Sequence, residues 1–275
     1  MPLAFDMLRG FPPEDPRCDQ LRAGLRAVGY TVKPCHGHAP GIEFCKPNDD
    51  RDVMLMWTRS RHRNEPAAEV FEEAGGRVIV AEESHFKGMV DEKIFSLCLH
   101  DHNGAGTWPE YGPQRWRDLG LELKPWREGG DHVLLCGQRG IGSKLMHSPD
   151  DWHLRLRHKL KTDRMVKVRA HPKSRLSQDQ GFIQIQPASL DEHLAGAWAV
   201  VVWSSGAGTK ALMDGIPVFY AAPHSFLEGA AERLKDGDID APRPGDRLPV
   251  FERMAWSQWR ASEIASGEAF VRLLA

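Results

Sequence analysis

No apolar run in the 275-residue sequence approaches the roughly 20 residues that a bilayer crossing requires. The start, Met1-Pro2-Leu3-Ala4-Phe5-Asp6, lacks the basic stretch and apolar segment of a secretory signal. Cysteine is sparse and odd in number: the five, at 18, 35, 45, 98 and 136, do not read as a disulfide framework. These absences predict a protein of a reducing cytoplasm with no membrane span. No charge of one sign dominates either, since 36 basic residues face 38 acidic ones for a net charge of −2. That balance excludes a uniformly basic nucleic-acid binder and leaves local patches to decide. His36 and His38, between Cys35 and Cys45, fit no familiar zinc spacing, and Pro40-Gly41 interrupts them, so no metal site is predicted. Internal repeats and low-complexity tracts are also absent.

What is present is ordinary globular material, 41% hydrophobic and 27% charged, in a length that allows one large domain or two compact lobes. Leu21, Leu25 and Val28 have the spacing of an amphipathic helix over Cys18–Val28, with Gly29 as its cap. Strands are expected at 30–34, 53–57, 77–80 and 95–99, and a helix over 66–74. This alternation predicts a parallel sheet. The passage from Trp108 to Gly130, rich in Pro, Gly and Trp, reads as a linker, its tryptophans packing between lobes or stacking on a sugar or base. Beyond it come a strand at 133–136, a glycine-bearing turn at 137–143, a helix at 149–160 and a short strand at 183–185. Ser189, with Glu192 three residues on, predicts a capping box. Residues 235–249 read as a surface loop and 250–274 as terminal helices.

The most informative stretch is 165–224. Two apolar runs, Met165–Val168 and Ala199–Trp203, each lead into a turn: Arg169-Ala170-His171-Pro172 and Ser204-Ser205-Gly206-Ala207-Gly208-Thr209. A helix from Lys210 and a strand at 216–220 complete a parallel α/β unit, in which ligands collect at the carboxyl ends of the strands. Serine hydroxyls and bare N–H groups at a helix start form an anion site. Arg169 and His171 can add charge and a proton to the same guest, a phosphate or diphosphate. Read blandly, the serines are only a helix cap and His171 a turn residue.

The Arg-x-His-Pro loop, Ser189-Leu190-Asp191-Glu192-His193-Leu194, the Ser-Ser turn and Ala211-Leu212-Met213-Asp214-Gly215-Ile216-Pro217-Val218 resemble the donor domain of GT-B glycosyltransferases. The likeness is to bacterial capsule Kdo transferases and sialyltransferases, whose His-Pro and Ser-Ser motifs hold the phosphate of a CMP-sugar. It extends to Val133–Ser143 and Arg77–Phe86, in matching order over about half the chain. The Gln138-Arg139-Gly140-Ile141-Gly142 form looks like phage-encoded relatives. The resemblance implies two Rossmann-like lobes facing across a cleft: residues 1–128 on the acceptor side, 129–249 holding the nucleotide sugar, and 250–275 crossing back to the first lobe. It implies donor contacts from Gln138, Arg139, Gly140, Ser143, Arg169, His171, Ser204, Ser205, Gly206, Gly208, Thr209 and Lys210. Two departures stand out. Arg139 onward replaces the acidic residues such enzymes tend to carry after Gly-Gln, which removes a carboxylate nucleophile and favours inversion. Lys210 replaces a ribose-binding Glu; both changes suit a diphosphate donor such as UDP-glucose.

A transferase must also deprotonate its acceptor hydroxyl. Asp101 is the first candidate base and His102 the second, in His100-Asp101-His102-Asn103-Gly104-Ala105-Gly106, with Glu82, Glu83 and His85 on the neighbouring strand end. The same loop could be only a tight turn. No Asp-x-Asp metal motif is read in the chain, so no divalent ion or other cofactor is expected. Arg59, Arg61 and Arg63, directly after a strand, together with Asn103, suggest double-stranded DNA as partner. The expected target is a hydroxymethylated pyrimidine such as 5-hydroxymethylcytosine, flipped from the stack, which would place the protein in the cytoplasm of a bacteriophage's host. The alternatives are a CMP-sugar transferase acting on a capsule or lipid-linked glycan and a non-catalytic nucleotide- or sugar-binding module.

Overall fold

The computed structural model describes residues 1–8, 15–35, 45–171, 189–239 and 245–275. In chain order its elements are β1 (Leu3–Met7), α1 (Pro16–Ala27), β2 (Thr31–Pro34), β3 (Val53–Trp57), α2 (Glu65–Glu73), β4 (Arg77–Glu83), β5 (Ile94–Leu99), α3 (Gln114–Asp118), β6 (His132–Cys136), α4 (Trp152–Arg157), β7 (Met165–Arg169), α5 (Leu190–Leu194), β8 (Ala197–Val202), α6 (Gly206–Met213), β9 (Val218–Tyr220), β10 (Glu232–Arg233), α7 (Leu248–Ala255), β11 (Gln258–Arg260), α8 (Ala261–Ala265) and α9 (Glu268–Leu273). They form two compact units. The first comprises Met1–Gly120, Gly142–Met146 and Glu252–Ala275; the second comprises Leu121–Ile141 and His147–Phe251.

The first unit holds a six-stranded sheet in the order β11-β5-β4-β3-β1-β2. Its strands are apolar on both faces because both are covered, as a central parallel strand requires. Ala4, Val53, Leu55, Ile79 and Ala81 pack with Leu21 and Leu25 of α1, Ile264 of α8 and Phe270 of α9. Phe5, Met7, Met54, Met56, Val78 and Val80 face the opposite way, with Ala67, Ala68 and Phe71 of α2. Gly24 lets α1 approach α8 closely, since a β-carbon there would stand 1.9 Å from the Ile264 carbonyl oxygen.

The expected all-parallel sheet is corrected at its edge. β1, β2, β3 and β4 are parallel, but β5 runs antiparallel to β4, and β11 antiparallel to β5. Residues 84–93 between β4 and β5 contain no helix, and a parallel crossover needs one or a comparable span. The expected terminal helices are interrupted by β11, whose three residues are too few to show an alternating pattern. The tryptophans of the passage read as a linker are packed: Trp116 is buried against Phe86, and Trp108 donates to the Arg253 carbonyl at 2.9 Å. The short strand expected at 183–185 lies outside the described residues.

Cys35 and Cys45 form a disulfide, with Cα atoms 6.6 Å apart, which corrects the reading of five unpaired cysteines. Both are buried beside Met56 and Phe71, a proximity created by the fold. The closed loop is short, so reduction is expected to lower the unfolding free energy by roughly 2–3 kcal/mol. Denaturant titration with and without a reductant measures this. Alkylation of the unreduced, denatured chain should label only Cys18, Cys98 and Cys136; five labels would refute the bond.

The second unit is a five-stranded parallel sheet, β10-β9-β8-β6-β7. Val133, Leu135, Ala199, Val201 and Phe219 supply its core, with Trp152 of α4 packed on Trp203 at 5.6 Å.

Candidate functional site

Each unit carries a polar cluster built on strand ends. In the second unit, β6 has β7 on one side and β8 on the other. The connections from a strand so placed leave in opposite directions, opening a crevice at the carboxyl ends, where doubly wound sheets bind ligands. Gln138 follows β6, and Ser204 follows β8. The Gln138 side chain donates to Ser204 Oγ and accepts from the Ser204 backbone N–H, both at 3.2 Å. This two-point clamp fixes both loops at the switch point. Gly137 N–H donates to the Arg169 carbonyl at 2.8 Å, which joins the end of β7 to the same structure.

Ser205 is the N-cap of α6, its hydroxyl accepting from the Ala207 N–H at 3.3 Å. Gly206 opens the helix. His171 is the last described residue of its loop, half-buried, and Pro172 lies outside the described residues. Arg169 Nη1 donates to His193 Nδ1. A guanidinium can only donate, so His193 carries its proton on Nε2, which is buried and unpartnered. Burial, then the Arg169 charge, depresses the His193 titration point. The unfolded chain therefore takes up that proton first, so stability falls as pH drops below the ordinary histidine value of 6.5, and the bond to Arg169 is lost only once pH passes through the lowered point. His193→Ala is expected to lower the unfolding free energy at neutral pH by about 1 kcal/mol, the scale of one net hydrogen bond. It should also remove the part of the acid loss of stability that this histidine contributes; denaturant titration at several pH values measures both.

Several expected donor residues do other work. Gly208 faces Leu227, Val202 and Val218, where a β-carbon would stand 2.9 Å from Leu227, and Thr209 is wholly buried. Both lie on the face of α6 that packs on the sheet. Lys210 is paired with Asp214 at 2.5 Å and Asp191 at 3.1 Å. Arg139 is exposed, and Gly140 turns the loop at φ +71° beside Asp150. Ser143 is not part of the second unit at all, because residues 142–146 pack into the first.

In the first unit the 100–107 loop doubles back on β5: Asp101 N–H and Thr107 N–H both donate to the Leu99 carbonyl, at 2.8 and 3.0 Å. Leu99 itself pairs with Ile79 near the start of β4. The return nevertheless brings the loop's side chains to the carboxyl end of β4. His102 Nε2 lies 4.0 Å from Glu82, and His85 Nε2 is hydrogen-bonded to Asn103 Oδ1 at 2.8 Å. Asp101 Oδ1 accepts the His102 backbone N–H at 2.8 Å. It also lies 2.9 Å from His102 Nδ1, an electrostatic contact without the alignment of a hydrogen bond. Thr58, His100 and Asn103 have φ of +57°, +69° and +50°. Left-handed backbone at non-glycine residues is uncommon and gathers at functional sites.

Burial alone would lower the His102 titration point, but Glu82 and then Asp101 more than offset it, and the net shift is upward. Burial would raise that of Asp101. Hydrogen bonding and charge from His102, with a hydrogen bond from Ser143, reverse this and hold it low. Burial, against the opposing Asn103 bond, pushes His85 down to about 4. The two shifts are those of a buried carboxylate–imidazole ion pair, a perturbation found at functional sites and in structural ion pairs alike.

The other expected residues are placed differently. Glu83 is exposed and ion-paired with Lys87 and Arg17, because it points to the opposite face from Glu82. Arg59 is 8% exposed, held by Glu72, Glu65 and the His100 carbonyl. Asn103 is buried, its Oδ1 hydrogen-bonded to His85. Arg61 is half-buried and Arg63 exposed. The expectation that Asp-x-Asp is absent is corrected by the sequence itself, which has that spacing at Asp50-Arg51-Asp52, Asp236-Gly237-Asp238 and Asp238-Ile239-Asp240. Among the described residues no three His, Cys, Asp or Glu side chains gather where they could hold a metal ion. No described helix is long and apolar enough to cross a membrane.

No family model matches the chain, and no curated protein matches it. Solved structures do. The β-Kdo 2,7-transferase of Thermosulfurimonas dismutans KpsC superposes with a TM-score of 0.58 at 15% identity, over 98% of this chain and 99% of that one. The β-Kdo 2,4-transferase of the same organism's KpsC gives 0.53 at 14% identity, over 94% and 92%. The likeness establishes the fold: two Rossmann-like α/β units of the glycosyltransferase GT-B type.

Proposed function

We propose that the chain is a glycosyltransferase that moves a sugar from a nucleotide donor to an acceptor hydroxyl. The observation that carries this reading is the Gln138–Ser204 clamp at the switch point of the parallel sheet. Arg169, His171, Ser204, Ser205 and the first N–H groups of α6 would take the donor phosphate. As the bond from the anomeric carbon to the phosphate oxygen breaks, the nucleotide leaves with the electron pair. Preorganised donors stabilise the charge that develops there. The acceptor oxygen forms the new bond to the anomeric carbon, and its proton passes to Asp101, with His102 and Glu82 alongside. Inversion follows from this direct displacement, and no metal takes part.

For the acceptor we favour a glycan hydroxyl, with a CMP-linked donor of the Kdo type. Both T. dismutans neighbours are Kdo transferases, and Arg59, which headed the basic strand end expected to meet DNA, is committed to internal ion pairs. A UDP-sugar and hydroxymethylated DNA form the second reading, favoured by Arg61 and the exposed Arg63. The test is incubation with CMP-Kdo and with UDP-hexoses, each with a Kdo-bearing oligosaccharide and with hydroxymethylcytosine duplex, read by mass. A Kdo-sized addition to the glycan supports the favoured reading, and a hexose on the duplex supports the second. Donor binding with no transfer to either acceptor would leave a binding module in place of an enzyme.

A further inference from the structure

Three buried polar atoms of the second unit lie in one short segment, and none has a hydrogen-bond partner among the described residues: Ser148 Oγ, Trp152 Nε1 and His153 Nδ1. Buried polar groups are nearly always paired, so three orphans within residues 148–153 call for a reason. The segment runs beside the turn that follows β6. A β-carbon on Gly137 would stand 3.1 Å from His153 Cε1 and Nε2, and one on Gly140 would stand 2.7 Å from Asp150 Oδ1. The Trp152 ring centre is 6.2 Å from that of His153 and 5.6 Å from that of Trp203, the residue before Ser204. His153 therefore lies where β6 and β8 end, beside the loops that the Gln138–Ser204 clamp joins, and is 3% exposed. Its Nδ1 is sealed in, and its Nε2, on the Gly137 side, takes no hydrogen bond from the described residues either.

We infer that His153 is a further binding residue of the donor crevice, and that its Nε2 takes a hydrogen bond with the uncharged nucleoside of the donor, on its base or its ribose. The inference rests on the glycosyltransferase reading. Charge favours the nucleoside over the phosphate. Residues 148–153 bring two carboxylates, Asp150 and Asp151, and no cation, whereas Arg169 ends β7 and the first N–H groups of α6 follow β8. Burial, against the opposing Asp151 charge, lowers the His153 titration point. The imidazole is therefore neutral near pH 7 and offers one donor and one acceptor. A neutral imidazole beside an indole ring suits a base edge or a ribose hydroxyl, which carry hydrogen-bonding groups and no charge. A histidine with a structural role alone is anchored through its ring nitrogens, as His132 is by Asp131 at 2.8 Å. His153 has no such anchor.

The test is calorimetric titration of the full chain with CMP, UDP, ribose 5-phosphate and inorganic pyrophosphate, in the wild type, His153→Phe and His153→Gln. Melting curves confirm that each variant folds. His153→Phe keeps a ring and removes both nitrogens. It should weaken the better-bound nucleotide about tenfold, the loss of one buried hydrogen bond, and leave pyrophosphate within a factor of about two. His153→Gln, whose amide reaches the place of Nε2, should keep most of the affinity. A parallel loss for ribose 5-phosphate assigns the bond to the ribose, and no loss there assigns it to the base. Imidazole-nitrogen NMR of the wild type needs no variant: the nucleotide should move the His153 signals, and pyrophosphate should not. Unmoved signals with bound nucleotide, or a folded His153→Phe that binds the nucleotide equally well, overturn the inference and leave the transferase reading standing. Equal losses for nucleotide and pyrophosphate also overturn it, since His153 would then act through the phosphate loops. A wild type that binds neither nucleotide overturns the transferase reading, and this inference with it.

Discussion

Asp101→Asn is expected to lower turnover by roughly 10²- to 10⁴-fold, the usual contribution of a positioned general base. Asparagine has nearly the same shape and can still accept the His102 backbone N–H, so the loop should keep its course. What it cannot do is accept a proton. The donor contacts proposed above lie on other loops, so the donor KM should stay within a factor of about two while kcat collapses, the pattern of an interaction made only in the transition state. His102→Ala should cost less if His102 serves chiefly to hold the charge of Asp101. The measurement is a pH-resolved kcat and KM series on the donor and acceptor pair that the mass assay identifies. An Asp101→Asn enzyme retaining more than about a tenth of wild-type turnover would assign the base elsewhere, with Glu82 next in line.

Arg59→Ala is expected to destabilise the first unit by about 3–5 kcal/mol, because it strips the partner from buried carboxylates. Arg59 Nη1 donates to both Glu72 oxygens, at 2.9 and 3.1 Å, and to the His100 carbonyl at 2.5 Å, while Nε lies 3.5 Å from Glu65. Glu65 also accepts the Lys144 N–H, so the loss would reach residues 142–146, and through the His100 carbonyl it would reach the loop that carries Asp101. Denaturant unfolding should show a lower midpoint, with Arg59→Lys in between because a single ammonium cannot satisfy three acceptors spread around it. If Arg59→Ala were as stable as the wild type and lost only affinity for DNA, the internal role assigned here would be wrong and the nucleic-acid reading would regain its leading residue.

These two residues show where sequence stops being informative. Asp101 and His102 are legible because Asp-His-Asn-Gly after an apolar run is unusual chemistry in a short space. Arg59 has equally visible charge and the same position after a strand, but its side chain is turned inward by carboxylates contributed by a later helix. The packing of Gly208 and Thr209 on the sheet was hidden for a related reason: once α6 starts at Gly206, helical geometry alone decides which positions face the sheet. Glu82 and Glu83 differ in role only through the two-residue period of β4. The capping box at Ser189 and Glu192 was readable because it is wholly local, and it is present.

The sequence by itself determined the alternation of apolar strands and amphipathic helices, the helix-opening Ser204-Ser205-Gly206 turn and the polar loop at 100–106. Each of these is written within a dozen residues, at the range over which backbone periodicity and capping act. Only the tertiary structure decided that Cys35 meets Cys45, that β5 runs against both β4 and β11, that Gln138 clasps Ser204, and that Ser143 packs into the first unit. Those are meetings of distant segments, set by which faces the sheets must bury and by where the connecting chain can turn, and no local pattern records them.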